Sequence, residues 1–353
     1  GVAAHFEQNV DKIIESVITS PIPDATLTDG YVSLTNHGQL IVNGGDSEDD
    51  GLTFTYNTLI NAEMNAVENY GKLILKDGNV FNIKASSPNS EVANLNGIRN
   101  TEGGTLTISN AILSGSASDK SLKEFALIRN DLPIETEEIR VNKTPNLVIT
   151  DSMLNMADTR EYSNIDNCSV YGILNFGKTI ITDSSIDVTD TYGKSYGLYN
   201  GNNAVAEYRV TKVPTVSTFE QGISGKEYLY EIYHINSSDY AVYNRNQFTT
   251  TLTVSSTEKY QVVDGLLTGT IEGVGDFQYA PLYALIGDVY TYVRTNTPDY
   301  NGSDGVTTTS LNQITVEGNI SNFGTVDVLL DDVRLNGEIR NTISSVKVTG
   351  AFT

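Results

Sequence analysis

Short stretches in which apolar and polar residues alternate recur along the chain. In TLTIS, residues 105–109, Leu106 and Ile108 alternate with hydroxyl residues, and KLILK, residues 72–76, has a similar pattern. Alternation with a period of two gives a strand one apolar face and one polar face. The pattern therefore predicts an all-β chain of many short, half-buried strands.

These strands belong to a repeating unit. In segments 65–83, 96–115 and 170–188, an aliphatic residue, an asparagine and a glycine precede the alternating strand. The first four marker asparagines lie 33, 31 and 30 residues apart, and the later ones lie 25 to 78 residues apart. One unit is too small to bury its apolar row, so copies must stack, with insertions lengthening the loops. The markers are Asn36, Asn69, Asn100, Asn130, Asn175, Asn200, Asn244 and Asn322.

Parallel stacking of these units predicts a solenoid with aligned rows of aliphatic side chains. Asparagine suits the turns because it tolerates left-handed backbone, and because its side-chain amide can bond the equivalent amide one unit away. The marker asparagines are therefore expected to be buried, hydrogen-bonded and structural. The predicted interior residues are Val67, Leu73, Leu75, Val80, Ile98, Leu106, Ile108, Ile112, Ile173, Ile180 and Ile186.

Two segments carry a resemblance to a known family. GIRN at 97–100 followed by GTLTISN at 104–110, and GILN at 172–175 followed by GKTIITDS at 177–184, resemble the right-handed parallel β-helix of bacterial surface proteins. These are autotransporter passengers and related adhesin-like proteins of the pectate-lyase-like fold superfamily. The resemblance implies a β-helix exposed at the bacterial cell surface. Fold alone does not fix function, since polysaccharide lyases, glycosidases and phage tailspikes also use this one.

The remaining segments interrupt the repeat. Residues 5–20 place Phe6, Val10, Ile13, Ile14 and Val17 at helical spacing before Pro21 and Pro23. This spacing predicts an N-terminal capping helix and linker at 1–23, followed by one β-helix domain at 24–353. Residues 201–239 and 255–315, both rich in tyrosine, are predicted to be lateral insertions.

Composition and charge limit the classes of partner that the protein can have. With 44 acidic and 22 basic residues the formal net charge is −22, which argues against a nucleic acid partner because a polyanion would be repelled. No apolar run is long enough to span a membrane. The single cysteine, Cys168, excludes an internal disulfide framework and is interpreted as a small buried apolar residue. Together with the abundance of Asn, Thr, Ser and Tyr, these features predict an exported, extracellular protein.

No catalytic set stands out. His5, His37 and His234 lie in three different kinds of segment, which disfavours a metal cluster or a Ser-His-Asp triad. β-Helix pectin glycosidases combine Asn-Thr-Asp, Asp-Asp, Gly-His-Gly and Arg-Ile-Lys motifs, and here only Asp331-Asp332 matches. The sequence therefore favours a binding or structural role, with a polysaccharide lyase or glycoside hydrolase as the alternative and a tailspike-like protein as the third.

Two groups of residues are candidates for binding. The loop GGDSEDDG, residues 44–51, offers hard oxygen ligands for calcium, or else is a solvated acidic loop. Tyrosines in the insertions would contact a protein or glycan on a host or neighbouring cell, or else pack the insertions onto the solenoid. The candidate calcium ligands are Asp46, Glu48, Asp49 and Asp50, and the candidate contact tyrosines are Tyr228, Tyr230, Tyr233, Tyr283, Tyr290 and Tyr292.

Overall fold

The computed structural model describes the chain in several stretches. Side chains are described for residues 34–56, 63–86, 94–131, 143–161, 167–190, 192–211, 233–245, 314, 316–324, 328–330, 333–342 and 345–348. Strands and their pairing, without side chains, are described for 6–8, 12–14, 18–21, 31–33, 93, 216–219, 227–231, 252–256, 260–263, 266–271, 275–279, 282–286, 289–292, 308–311, 315, 331 and 349.

The described elements are β-strands, and most are short. They are β1 (Phe6–Gln8), β2 (Lys12–Ile14), β3 (Ile18–Pro21), β4 (Tyr31–Asn36), β5 (Gln39–Asn43), β6 (Leu52–Tyr56), β7 (Glu63–Asn69), β8 (Lys72–Ala85), β9 (Ala93–Thr101), β10 (Thr105–Ala117), β11 (Leu122–Asp131), β12 (Asn146–Thr150), β13 (Met153–Asp158), β14 (Ser169–Asn175), β15 (Lys178–Thr182), β16 (Ser185–Asp190), β17 (Lys194–Asn200), β18 (Val205–Val210), β19 (Val216–Phe219), β20 (Glu227–Glu231), β21 (Tyr233–Asn244), β22 (Leu252–Ser256), β23 (Tyr260–Val263), β24 (Leu266–Ile271), β25 (Gly275–Tyr279), β26 (Leu282–Ile286), β27 (Val289–Tyr292), β28 (Thr308–Leu311), β29 (Ile314–Asn322), β30 (Val328–Asp331), β31 (Val333–Asn336), β32 (Ile339–Asn341) and β33 (Val346–Thr349).

A single curled sheet of 25 strands forms the solenoid. Each rung, meaning one full turn of the solenoid, contributes three strand segments, which we assign to sides A, B and C in chain order. Every segment pairs in parallel with the segment on the same side of the next rung, as β4 does with β7 on side A, β5 with β8 on side B and β6 with β8 on side C. This pairing confirms the predicted all-β, parallel, solenoid-like architecture.

The N-terminal helix predicted at 5–20 is wrong. This segment instead forms β1, β2 and β3, which pair in parallel with β4, β5 and β6 and so add one more rung. Helical spacing was outweighed because the segment is rich in β-branched residues, which favour extended backbone, and because the first strands offer an edge for pairing.

The interior of the solenoid is filled by aligned aliphatic rows. On side A, the residue two positions before each marker asparagine points inward, as Val67, Ile98 and Ile128 do, and these three are fully buried. Nine of the eleven predicted interior residues are buried, but Ile112 and Ile180 are only half-buried. Asn110 adopts a left-handed φ of 49° at the corner, which shifts the alternation so that Ala111 and Leu113 point inward instead. In the pair Ile180-Ile181 only the second points inward.

The corner between sides B and C has a repeated backbone conformation. Asp77, Asn110, Asp151 and Asp183 occupy this corner in successive rungs with φ values of 65°, 49°, 51° and 49°. Asparagine and aspartate enter this left-handed region more readily than other non-glycine residues. The choice of residue at this corner thus follows from the backbone geometry.

The two interruptions of the repeat form sheets of their own. One four-stranded sheet joins β19 and β20 from the first interruption to β26 and β27 from the second, and the other contains β23, β24, β25 and β28. Residues 205–210 and 233–239, predicted as part of the first insertion, lie in solenoid strands β18 and β21.

Candidate functional site

The marker asparagines form a continuous ladder inside the corner between sides A and B. From Asn36 to Asn244, each side-chain Nδ2 donates to the Oδ1 of the asparagine in the next rung, over distances of 2.7 to 3.1 Å. Asn322 Nδ2 donates to the backbone oxygen of Ser345 at 3.2 Å. Each member is fully buried. The ladder consists of Asn36, Asn69, Asn100, Asn130, Asn175, Asn200, Asn244 and Asn322.

The ladder amides also bind the backbone that turns the corner. Asn100 Nδ2 donates to the carbonyl oxygens of Gly104 at 3.1 Å and Asn146 at 3.0 Å. At the N-terminal end of the ladder, the buried Oδ1 of Asn36 has no hydrogen-bond partner among the described residues, and Gln8 of β1, in the preceding rung, holds the matching register position. Because each amide satisfies buried carbonyls as well as its neighbour, the ladder holds the corner together.

The predicted calcium loop at 44–51 is held by amides from the next rung. Asn79 Nδ2 donates to the carbonyl oxygens of Gly45 and Asp46, each at 3.2 Å, and Asn82 Nδ2 donates to that of Glu48 at 3.2 Å. Asp50 Oδ2 accepts from the backbone of Ser47 at 2.9 Å. Among the described residues, no group of three or more His, Cys, Asp or Glu is arranged to hold a metal ion, and the structure does not bring together Asp46, Glu48, Asp49 and Asp50.

The tyrosines predicted to bind a partner lie in the interrupting sheet, except one. Tyr233 begins β21 and packs, half-buried, against the solenoid core. The side chains of the others lie outside the described residues, although the backbones of Tyr283 and Tyr292 are paired. Those others are Tyr228 and Tyr230 in β20, Tyr283 in β26, and Tyr290 and Tyr292 in β27.

A different group of tyrosines covers the outside of side A. Tyr171, Tyr196 and Tyr240 occupy one register column, with ring centroids 4.8 and 5.1 Å apart and ring planes within 14° of parallel. Tyr199 and Tyr243 stack in the adjacent column at 4.9 Å. Rings of the two columns meet edge to face at 5.4 to 5.7 Å. We call these five residues the tyrosine patch.

Two phenylalanines extend the patch. Phe176 lies 6.2 Å from Tyr199, and Phe323 lies 5.2 Å from Tyr243, between ring centroids. The Arg129 guanidinium lies 5.8 Å from the centre of the Phe176 ring, a cation–π contact. The patch therefore meets the ion-paired Arg129 on the side of the N-terminal rungs.

The geometry of the patch determines which atoms it offers to a partner. Stacking covers the ring faces, so Tyr171 and Tyr196 are only 8% and 9% exposed. Burial raises the pKa of Tyr171 to about 12 and lifts the pKa of Tyr196 and Tyr243 above the usual 10. The patch thus presents ring edges, and the phenols of Tyr171, Tyr196 and Tyr243 stay neutral at physiological pH.

The N-terminal rungs of side A carry charges instead of rings. Arg99 lies 3.2 Å from Glu63, 3.3 Å from Glu68 and 3.1 Å from Asp131, which also accepts from Arg129 at 3.1 Å. Each guanidinium is thus neutralised by its neighbours. Side A therefore changes from a balanced ionic surface to an aromatic one along the solenoid.

The described histidines sit in separate places. His234 Nε2 lies 2.6 Å from Asp187 Oδ2, and its backbone nitrogen donates to Ser185 Oγ at 3.2 Å. His37 stacks on Tyr70 with ring centroids 4.9 Å apart. In neither place do the described contacts join a histidine ring to a serine or cysteine nucleophile. The side chains of His5, Asp331 and Asp332 lie outside the described residues.

The sequence pattern did not predict the tyrosine patch, because its tyrosines are spread over three repeats rather than clustered in the insertions. The signal lay within the repeat, in YGILN, YGLYN and YAVYN, where tyrosine stands four positions, and in two cases also one position, before the marker asparagine. Both positions point outward from side A.

No known family model, curated protein or solved structure matches this chain. The described part of the chain contains no helix that is long and apolar enough to cross a membrane.

Proposed function

We propose that the chain is an exported bacterial cell-surface protein, a right-handed parallel β-helix with an adhesin-like binding role and no catalytic one. The observation that supports this best is the tyrosine patch on a rigid outer sheet. Its partner would be a protein or glycan on a host or neighbouring-cell surface.

The physical properties of the patch suit recognition. Tyrosine provides a large contact area at a low cost in side-chain entropy, and its hydroxyl can both donate and accept. Here the rings are already fixed by stacking on each other, so little further ordering would be required on binding. Because the ring faces are covered, a glycan would bind through hydrogen bonds to the phenols and contact with ring edges rather than by lying flat on one ring.

A direct test replaces two half-buried tyrosines, one from each column of the patch. The double variant Tyr240→Ser, Tyr243→Ser should lose at least about tenfold in affinity for any ligand found on a glycan and extracellular-matrix array, because aromatic anchors dominate such interfaces. Tyr192→Ser is the matched control, since Tyr192 is a 39% exposed tyrosine outside the patch.

Both variants should keep the far-ultraviolet circular dichroism of the parent chain. Unchanged binding by the double variant, or equal loss in Tyr192→Ser, would place recognition elsewhere and refute the proposal.

A further inference from the structure

The outward face of side B has an apolar stripe along its centre. Every second side chain of these strand segments points outward, and the central outward positions of five successive rungs are paired in register. All five residues are β-branched, four of them are aliphatic, and each is half-buried. They are Ile41, Ile74, Thr107, Val148 and Ile180, which we call the β-branched stripe.

Basic side chains flank the stripe on both borders. The outward side B residues of β5, β8, β10, β12, β15 and β18 include four basic residues and one acidic residue, Glu207. The basic residues are Lys72 and Lys178 in the row next to the asparagine ladder, and Lys76 and Arg209 in the row next to the following corner. This face is therefore locally positive in a chain whose formal net charge is −22.

Two of these cations can pair with a partner without first breaking an ion pair. Lys72 and Lys178 are exposed, and among the described residues neither has an ion-pair partner. The other two lie near neighbouring carboxylates, at 3.7 and 3.5 Å. A second copy of this face would bring like charges together, so the face suits an acidic partner rather than itself.

The spacing along the stripe indicates the kind of acidic partner. Neighbouring strands lie about 4.8 Å apart, so the five residues of the stripe span about 19 Å. An α-helix advances about 5.4 Å per turn, so a helix lying along the stripe stays within about 2 Å of register over the four steps. An extended chain places the side chains of one face about 6.6 Å apart and would be about 7 Å out of register over the same steps.

The width and chemistry of the face also suit a helix. The two basic rows are four residues apart along each strand, which is about 13 Å. A helix with its side chains is about 10–12 Å across, so acidic residues beside its apolar ridge would lie over the basic rows. The stripe contains no aromatic ring on which a sugar could stack, which favours a polypeptide over an acidic glycan.

We propose that side B is a docking surface for an amphipathic helix of another protein, with an aliphatic ridge on the β-branched stripe and acidic residues over the two basic rows. Burial of the aliphatic side chains stabilises such a complex, and the flanking charges set its orientation and speed its formation. This inference does not rest on the tyrosine patch, which lies on side A.

The probe is a labelled synthetic peptide of about 18 residues, or about five helical turns, with leucines along one face and glutamates on both flanks. A second peptide has lysines in place of the glutamates, and a third has serines in place of the leucines. Fluorescence anisotropy at low ionic strength should show that the parent chain binds the first peptide at least about tenfold more tightly than either of the others. Added salt should weaken that binding, because salt screens exposed charges.

Variants of each part of the face locate the binding. Lys72→Glu combined with Lys178→Glu, and separately Ile74→Ser combined with Ile180→Ser, should each weaken binding of the first peptide at least about tenfold. The charge-reversed variant should in turn bind the lysine peptide more tightly than the parent does. That gain cannot come from misfolding, so it keeps the test valid if the serine variant fails to fold.

Lys84→Glu combined with Lys123→Glu is the matched control, since these two lysines are exposed on sides C and A. It should bind the first peptide as the parent does. No binding by the parent, equal binding of the leucine and serine peptides, equal loss in the control, or no gain for the lysine peptide would each overturn the proposal. Stronger competition by polygalacturonate than by unlabelled peptide would also overturn it, in favour of an acidic glycan.

Discussion

Removing one amide from the middle of the asparagine ladder measures how much the ladder stabilises the fold. Asn100 accepts from Asn69 Nδ2 at 2.7 Å and donates to Asn130 Oδ1 at 2.9 Å. It also donates to the backbone oxygens of Gly104 and Asn146. Asn100→Ala therefore leaves three acceptors short of a donor around a side-chain position that is fully buried.

The magnitude follows from those lost partners. A buried polar group left without its hydrogen bond costs roughly 1–3 kcal/mol, but the carbonyl oxygens keep a second lone pair and partial compensation is common. We expect Asn100→Ala to lower the free energy of unfolding by about 3 kcal/mol. Loss of the Asn100 Oδ1 acceptor adds little to this cost, because Asn69 Nδ2 also donates to the backbone oxygens of Gly71 and Thr105, each at 3.1 Å.

Two further variants separate this account from a simple loss of volume. Asn100→Asp keeps the shape and the acceptor but removes both donors and buries a carboxylate, so it should destabilise at least as much as alanine. Asn36→Ala, at the end of the ladder, removes donors only from Asn69 Oδ1 and Lys72 O. It should therefore cost about half as much as Asn100→Ala.

The measurement is urea unfolding followed by circular dichroism, with hydrogen exchange to locate the loss. Thr107→Ala is the control, since Thr107 points outward and half-exposed in the same rung. If Asn100→Ala and Thr107→Ala unfold at the same urea concentration, or if exchange near residues 100–105 is unchanged, the ladder does not stabilise this corner.

Three other outcomes can be checked on the same protein. Arg160→Leu should destabilise by about 3–5 kcal/mol in urea unfolding, because it removes the guanidinium that forms an ion pair with the fully buried carboxylate of Asp158. Burial raises the pKa of Asp190 from 3.8 to about 6, so the protonated form is favoured in the folded state and stability falls as pH rises from about 4 to 6. Asp190→Asn should remove that part of the pH dependence and gain about 1 kcal/mol at pH 7, after allowing for solvent screening, and an unaltered pH profile would count against it. Purified protein should release neither unsaturated nor reducing ends from polygalacturonate, with or without calcium, and release abolished by changing a carboxylate pair would instead favour the enzyme alternative.

The repeat could be predicted because its physical requirements are local. A corner that needs a buried amide to bond the next rung restricts the residue to asparagine, so Asn69 and Asn100 mark the rungs in the sequence itself. The left-handed backbone expected of these asparagines is wrong, since the described positive φ values belong to other residues. The alternation of Leu106 and Ile108 then fixes which face is interior. These signals do not depend on distant parts of the chain.

Other features could not be predicted because they depend on strand pairing, backbone conformation and register that the local sequence pattern does not show. The apolar spacing of Phe6, Val10 and Ile13 fits a helix equally well, and only the edge offered by β4–β6 decides for strands. The inward turn of Leu113 in place of Ile112 depends on one left-handed residue at the corner. Stacking of the patch requires tyrosines in rungs that are 25 and 44 residues apart to share a register, which a single repeat does not reveal.

The asparagine ladder also determines what side A presents to its surroundings. Once the asparagine is fixed at the corner, the residue two positions earlier must point inward, and this row is aliphatic from Leu34 to Ile320. The residue one position earlier must point outward, and this row changes from Arg99 and Arg129 to Tyr199 with no change in strand pairing. The residue two positions before the asparagine thus belongs to the interior, and the residue one position before it belongs to the surface. The surface of each rung can therefore be altered for recognition while the hydrogen bonds and the packing that hold the solenoid together are retained.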